Sequence, residues 1–228
     1  GAGRPASHEQ SRFVDGSLES YERALDATLP HASSDGRRLS QVGLAAHSVR
    51  ALDSDWLRGL GRISASRGLI THAHVSEQPR EVEECLAEHG RRPVEQLMES
   101  GLLSPRFTAV HATHLGPGEA ELLGQAGAAA CICPTTERNL GDGLPDLRAL
   151  LAAGVPLSVG SDSQVRVDPF AELRALEDGE RLRTGERVVL GDAGGQVAPV
   201  LFGAATRSGE QTTGLQLGRI VEGHRGDL

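Results

Sequence analysis

From residue 41 onward the chain repeats one unit: a short apolar, β-prone run, a polar or glycine-containing loop, then a stretch with apolar positions three and four residues apart. The apolar runs are Gln41–His47, Leu69–His74, Phe107–His111, Ala128–Cys133 and Pro156–Gly160. The spacing predicts helices over Ser54–Ser66, Pro79–His89, Pro93–Ser100, Gly118–Gln125, Leu147–Ala153 and Pro169–Arg183, with a last one near Gly195–Ser208. An earlier helix, Asp15–Leu29, stops at Pro30 and leads into a Ser/Asp/Gly linker. Strands separated by helices at this interval must pair in parallel, because each return crossing consumes about a dozen residues or more. The expected class is α/β, as a barrel or as a doubly wound sheet.

The polar residues choose between the two. His47, His74, His111 and Asp162 each fall at or just past the C-terminal end of a different apolar run, where barrel active sites gather. An open sheet would concentrate its site at one crevice, usually with a glycine-rich phosphate loop, whereas Gly141-Asp142-Gly143 follows no strand directly. The expectation is therefore part of a (β/α)8, TIM-like barrel with parallel strands.

Within Thr71–Gln78, His72 and His74 are two apart and share one strand face, and Glu77 follows in the loop above. An imidazole ligand beside a carboxyl group able to carry protons is what metal-assisted hydrolysis requires. His111 and Asp162 bring a second imidazole and a carboxylate towards the same mouth. Each also has a plain structural reading: His111 as a satisfied core histidine, Asp162 as the cap of the following helix, a role equally open to Ser163 and Asp168. It is their coincidence on three strand ends that points to one site. Cys131 and Cys133 share a strand face but lack the second pair of a structural zinc site, so they read as small buried hydrophobes. His72 is expected deeper in the barrel, His114 outside the ligand shell, and His8, His31, His89 and His224 on the surface.

Composition narrows the function classes. With 228 residues, a formal charge of −8 and a pI near 5.6, the chain has no basic footprint for nucleic acid. No apolar run approaches the roughly 20 residues of a membrane span, and Gly1–Gln10 lacks a signal-peptide core. The expected setting is the cytoplasm, with a small-molecule substrate and no membrane partner; a homodimer is left open. The odd cysteine count, Cys85, Cys131 and Cys133, makes no disulfide framework and suits a reducing compartment. Aromatic residues are 3% of the chain, so the core must be built from Leu, Val, Ile and Ala. No position is lysine, which removes Schiff-base and lysine-carbamate chemistry from the sites visible in this sequence.

Taken in order, His74-x-x-Glu77-Gln78, the strand-end His111, the segment Cys133-Pro134-Thr135-Thr136-Glu137-Arg138-Asn139-Leu140-Gly141-Asp142-Gly143 and Gly160-Ser161-Asp162-Ser163 resemble the amidohydrolase superfamily. Together with Ala46-His47-Ser48-Val49-Arg50, the Pro-Thr-Thr-Glu segment is similar within it to the formimidoylglutamate deiminases, over most of the chain from about Arg12. That resemblance implies zinc, one ion per complete active site with other divalent metals able to substitute, held by His74 and Asp162. It implies Glu77, His111 and Asp162 as catalytic groups, and His47 and Arg50 as substrate contacts. A guanidinium suits a glutamate-like substrate because it can grip a carboxylate with two parallel hydrogen bonds; its plain alternative is a surface ion pair. The implied reaction converts N-formimidoyl-L-glutamate to N-formyl-L-glutamate and ammonia, in histidine degradation. Two alternatives stand beside it, a superfamily deaminase acting on a guanine-like or adenosine-like ring and a non-catalytic barrel fragment. The first would need aromatic surface, of which Trp56, Tyr21 and four Phe are all there is.

The superfamily pattern opens with a His-x-His pair on the first barrel strand, yet the His-x-His present, His72-Ala73-His74, belongs to the later metal strand. The visible strands therefore match strands 4 to 8 of the barrel, and the chain is expected to be a fragment, weak in zinc binding for want of two ligands and inactive by itself. Residues 1–214 would form the partial barrel domain and 215–228 the start of a return to a small β domain.

Overall fold

The structure of the protein, a computed structural model, describes residues 8–9, 11–32, 40–163 and 166–226. Most of the linker after the first helix, most of the Gly1–Gln10 stretch read for a leader and the last two residues of 215–228 lie outside these. Five strands, β1 (Leu44–Ala45), β2 (Thr71–Val75), β3 (Phe107–His111), β4 (Ala129–Ile132) and β5 (Leu157–Val159), form one sheet in chain order, and every pairing is parallel. The helices are α1 (Leu18–Thr28), α2 (Ser54–Arg67), α3 (Pro79–His89), α4 (Pro93–Glu99), α5 (Glu119–Gln125), α6 (Pro134–Leu140), α7 (Leu147–Ala152), α8 (Pro169–Thr184), α9 (Val197–Ala205) and α10 (Arg207–Thr213). This is the expected α/β architecture, a partial (β/α)8 barrel whose five parallel strands alternate with helices. None of the described helices is long and apolar enough to cross a membrane.

Strand alternation sorts the sheet into two faces. On β2, Thr71, Ala73 and Val75 are buried against the helices, while His72 and His74 face the half-buried inner side. The helix-side layer is dense and aliphatic: Phe107, Leu57, Leu60, Leu97, Leu102, Leu123, Ile132 and Leu150 are all fully buried. At the N-terminal ends of the strands, α10 closes the sheet by hydrogen bonds. Gln211 Nε2 donates to the carbonyls of Pro105 and Gly127, just before β3 and β4, and His72 Nε2 lies 2.7 Å from the Thr212 carbonyl. His72 thus spends its ring nitrogen on the closed end of the sheet, opposite the strand ends that carry the other histidines.

The pattern missed one helix and merged two. Cys133–Leu140 carries ordinary start and stop signals, a proline at the first helical position and Gly141 as a left-handed C-cap at φ 75°, and it forms α6. The predicted Gly195–Ser208 helix breaks at Thr206, where φ −111° and ψ −76° turn α9 into α10. Asp168 is the N-cap of α8, its carboxylate accepting the Ala171 N–H at 3.0 Å, so Asp162 is not needed for that task. His89 and His224 are half-buried rather than on the surface.

Loops are held by buried glutamates. Glu81 accepts the N–H groups of Ser76 and Glu77, Glu119 those of Val94 and Gly116, Glu137 that of Cys133, Glu172 that of Thr135, and Glu177 those of Val189 and Leu190. All five are under 5% exposed. Glu119 is further neutralised by Arg92, whose Nε lies 2.7 Å away. Substituting Glu119 by Ala should strand two backbone donors and one guanidinium at once, at a cost of about 3 to 5 kcal/mol. Urea unfolding of the two proteins reads this directly, and a difference below about 1 kcal/mol would assign these bonds little weight.

Candidate metal centre

The mouth of the sheet is where the backbone is strained. Among the described residues the non-glycine positions with positive φ are His47 (44°), Ser76 (50°), His111 (71°), Ala112 (51°) and Asp162 (43°), all at or just past strand C-termini. Such conformations cost about 1 to 3 kcal/mol each and persist where surrounding contacts impose them. At His111 the consequence is specific. His111 pairs with Val75 and has the parity of Phe107, so the pleat alone would turn its ring towards the helices. Positive φ at His111 and Ala112 ends the strand, and the ring instead stacks on His74, with centroids 5.5 Å apart and planes 15° from parallel.

Hydrogen bonds then fix which nitrogen of each ring is available. His74 Nδ1 lies 3.0 Å from the His47 carbonyl, which can only accept, so Nδ1 carries the proton and Nε2 keeps its lone pair. His111 Nδ1 lies 3.2 Å from Glu137 Oε1, an oxygen that also accepts the Cys133 N–H at 2.9 Å, and His111 Nε2 is again left free. One ligand atom each from His74, His111 and Asp162 lie within 4.8 Å of one another. Two imidazoles and a carboxylate at that separation, with both rings oriented by outer partners, fit a divalent metal such as zinc. His111, expected only to act beside the ion, is thus within the ligand set by distance.

Around this cluster stand the remaining predicted residues. Glu77 Oε1 is 3.9 Å from His111 Nε2, and Glu77 Oε2 is 2.5 Å from an Arg50 terminal nitrogen. Glu81 approaches Arg50 Nε at 3.6 Å, and that nitrogen has no hydrogen-bond partner although it is buried. Arg50 therefore does form an ion pair, but with a carboxylate of the mouth rather than on the outer surface. The His47 ring packs edge-on to His74 at 5.2 Å and its Nδ1 meets Ser48 Oγ at 2.9 Å. His114 is occupied elsewhere, its Nε2 on the Asp142 carbonyl at 2.6 Å. A cleft of about 530 Å³ between α6 and α8, lined by Arg138, Leu144 and Arg174, lies on the helix side of Glu137 and outside this cluster.

The electrostatics follow from burial and neighbours. Burial pulls the His111 imidazole down, but the Glu137 hydrogen bond and the carboxylates of Glu137, Glu77 and Asp162 overcome it, so His111 stands above its ordinary value. His47 moves the other way, lowered by burial and then by the His74 and Arg50 charges. Burial raises the carboxyls of Glu81 and Glu137 despite their hydrogen bonds.

The residues 8–228 match the model of the amidohydrolase family. The chain belongs to that family. It is 38% identical over 227 residues to formimidoylglutamate deiminase of Pseudomonas aeruginosa, covering 99% of this chain and 49% of that protein. To 5′-deoxyadenosine deaminase of Methanoregula boonei it is 32% identical over 227 residues, covering 95% and 49%. The crystal structure of an adenosine deaminase from Xanthomonas campestris with bound zinc superposes with a TM-score of 0.82 at 25% identity, covering 92% of this chain and 47% of that one. The chain spans about half the length of the curated relatives it matches.

Glu137 and Glu81 are the residues that spacing arguments did not assign. Both lie in the first turn of a helix that opens with proline, Glu137 after Pro134 and Glu81 after Pro79, which is a readable capping signal. Nothing local says that the first carboxylate also meets an imidazole from β3. Replacing Glu137 by Ala frees the His111 ring, and zinc affinity should fall about 10-fold to 100-fold. Equilibrium dialysis against a zinc buffer checks this, and unchanged affinity would remove Glu137 from the support of the site.

Proposed function

We propose that these five strands belong to a zinc-dependent deiminase that hydrolyses N-formimidoyl-L-glutamate to N-formyl-L-glutamate and ammonia. The observation that carries the substrate assignment is Arg50. Its guanidinium reaches the mouth beside Glu77 and 28% of its side chain stays exposed, so its outward N–H groups are placed to take a substrate carboxylate. A purine substrate would instead call for aromatic surface, and the chain is 3% aromatic.

In this reading His74 and Asp162 would hold the ion, with His111 within reach of it and of the incoming oxygen. The metal, when bound, supplies the Lewis acidity that makes water nucleophilic near neutral pH. The residues of the chain do the rest. Asp162 takes a proton from the attacking water, and Glu77 delivers one to the imine nitrogen as the C–N bond to the departing ammonia breaks. His111 Nε2 orients the incoming oxygen, and Glu137 keeps that ring in the tautomer the task needs. Arg50 and His47 hold the glutamate end. Water adds across the amidine carbon, oxygen stays on the formyl product, and nitrogen leaves as ammonia. A cytoplasmic metabolic role goes with this reading.

The test uses the protein that contains this chain, purified and zinc-loaded. N-formimidoyl-L-glutamate should turn over, with guanine and 5′-deoxyadenosine giving no detectable ammonia; turnover of either purine instead would favour the ring-deaminase reading. Glu77→Gln should lower kcat at least about 100-fold, the lower range for a general acid, with the zinc content unchanged. Loss of zinc in that variant would make Glu77 a ligand.

A further inference from the structure

Strand β4 leads into the mouth with two thiols. Cys131 lies on β4 and Cys133 just past its end, two residues on, and both side chains turn towards the neighbouring strand β5. Both sulfurs rest over Gly160 at the end of β5: a methyl group there would stand 3.2 Å from each. The space beside the pair is therefore kept clear by the absence of a side chain on the neighbouring strand. Two further donors face it. His111, Cys133 and Glu137, all buried, offer ligand atoms that lie within 4.8 Å of one another, a group distinct from the His74, His111 and Asp162 cluster although it shares one histidine.

We propose that Cys131 and Cys133, with His111 and Glu137, form a second metal site that takes a soft, thiophilic cation of the cadmium, mercury or copper(I) class and competes with the hydrolytic centre. Thiolates select such cations over hard ones, and the neighbouring carboxylates favour positive charge. Binding forms two metal–sulfur bonds and releases the two thiol protons to solvent. For His111 to join, Nδ1 must give up the proton it now directs at Glu137. The ring then carries its proton on Nε2, the nitrogen that faces Glu77. That nitrogen changes from acceptor to donor and no longer supports a metal or an incoming oxygen, so a filled thiol site silences the hydrolytic one. This antagonism rests on the role given to His111 above; occupancy of the thiol site does not.

Cadmium titration of the zinc-loaded protein separates the two statements. The protein should bind one cadmium per chain with a sulfur-to-cadmium charge-transfer band in the ultraviolet. Cys131→Ser and Cys133→Ser should each lose the band and weaken that binding at least 10-fold, while Cys85→Ser, altering the remaining thiol in α3, keeps both. Wild-type protein without the band at saturation, or serine variants that retain it, would overturn the proposal. Alkylation of the wild-type protein gives a check that needs no variant. Cadmium should slow modification of Cys131, mapped by mass spectrometry, at least 10-fold, and equal rates with and without cadmium would overturn the site. Inhibition is scored separately: a cadmium-loaded thiol site that leaves turnover intact would sink the antagonism, whereas loss of the role of His111 would show as His111→Asn keeping full turnover without cadmium.

Discussion

Carboxylates buried under the loops and bonded to backbone N–H groups hold this architecture at its working end. A parallel sheet hands each strand over to a loop whose N–H groups point nowhere in particular, and a barrel mouth is built from those loops. Here Glu81, Glu119, Glu137 and Glu172 reach from helices into the segments that follow β2, β3 and β4 and accept such groups, while Glu177 does the same for the turn after α8. A buried carboxylate without partners would be costly, and each is instead satisfied by two or more donors or by an arginine. Part of the acidity that gives the chain its net charge of −8 is therefore not a solvated surface.

Two of these carboxylates explain why the metal cluster can exist. Glu81 ties down Ser76 and Glu77, one of which has positive φ, and so fixes where the Glu77 carboxylate stands. Glu137 binds the backbone of Cys133 and the ring of His111 through one oxygen, joining the end of β4 to the end of β3. At His111, where φ is positive, the Glu137 bond helps hold the ring in its inward position. The same junction puts an imidazole and a carboxylate beside the Cys133 thiol.

Much of the fold could be read from pattern alone. Apolar runs of five to seven residues alternating with helical spacing pointed to five parallel strands, and β3 and α3 have the predicted limits. The helix α6 was hidden because its seven residues are too few and too polar to show a periodic apolar face, although proline and glycine bracket it. His74, His111, Asp162 and Glu77 were singled out by their places at strand ends, and the structure brings their side chains into one region.

What the sequence determined by itself is the order of elements and the family, because periodicity and motif spacing are local properties of the chain. Tertiary structure alone decided the support of the site: that Glu137 meets His111 across 26 residues, that Arg50 pairs with Glu77 across 27, and that Gly160 leaves room beside Cys131 and Cys133. Alternation along β3 even argues for the opposite orientation of His111. Local rules carry no information about which strand end lies beside which, and two consecutive positive φ angles, at His111 and Ala112, reverse the face they assign.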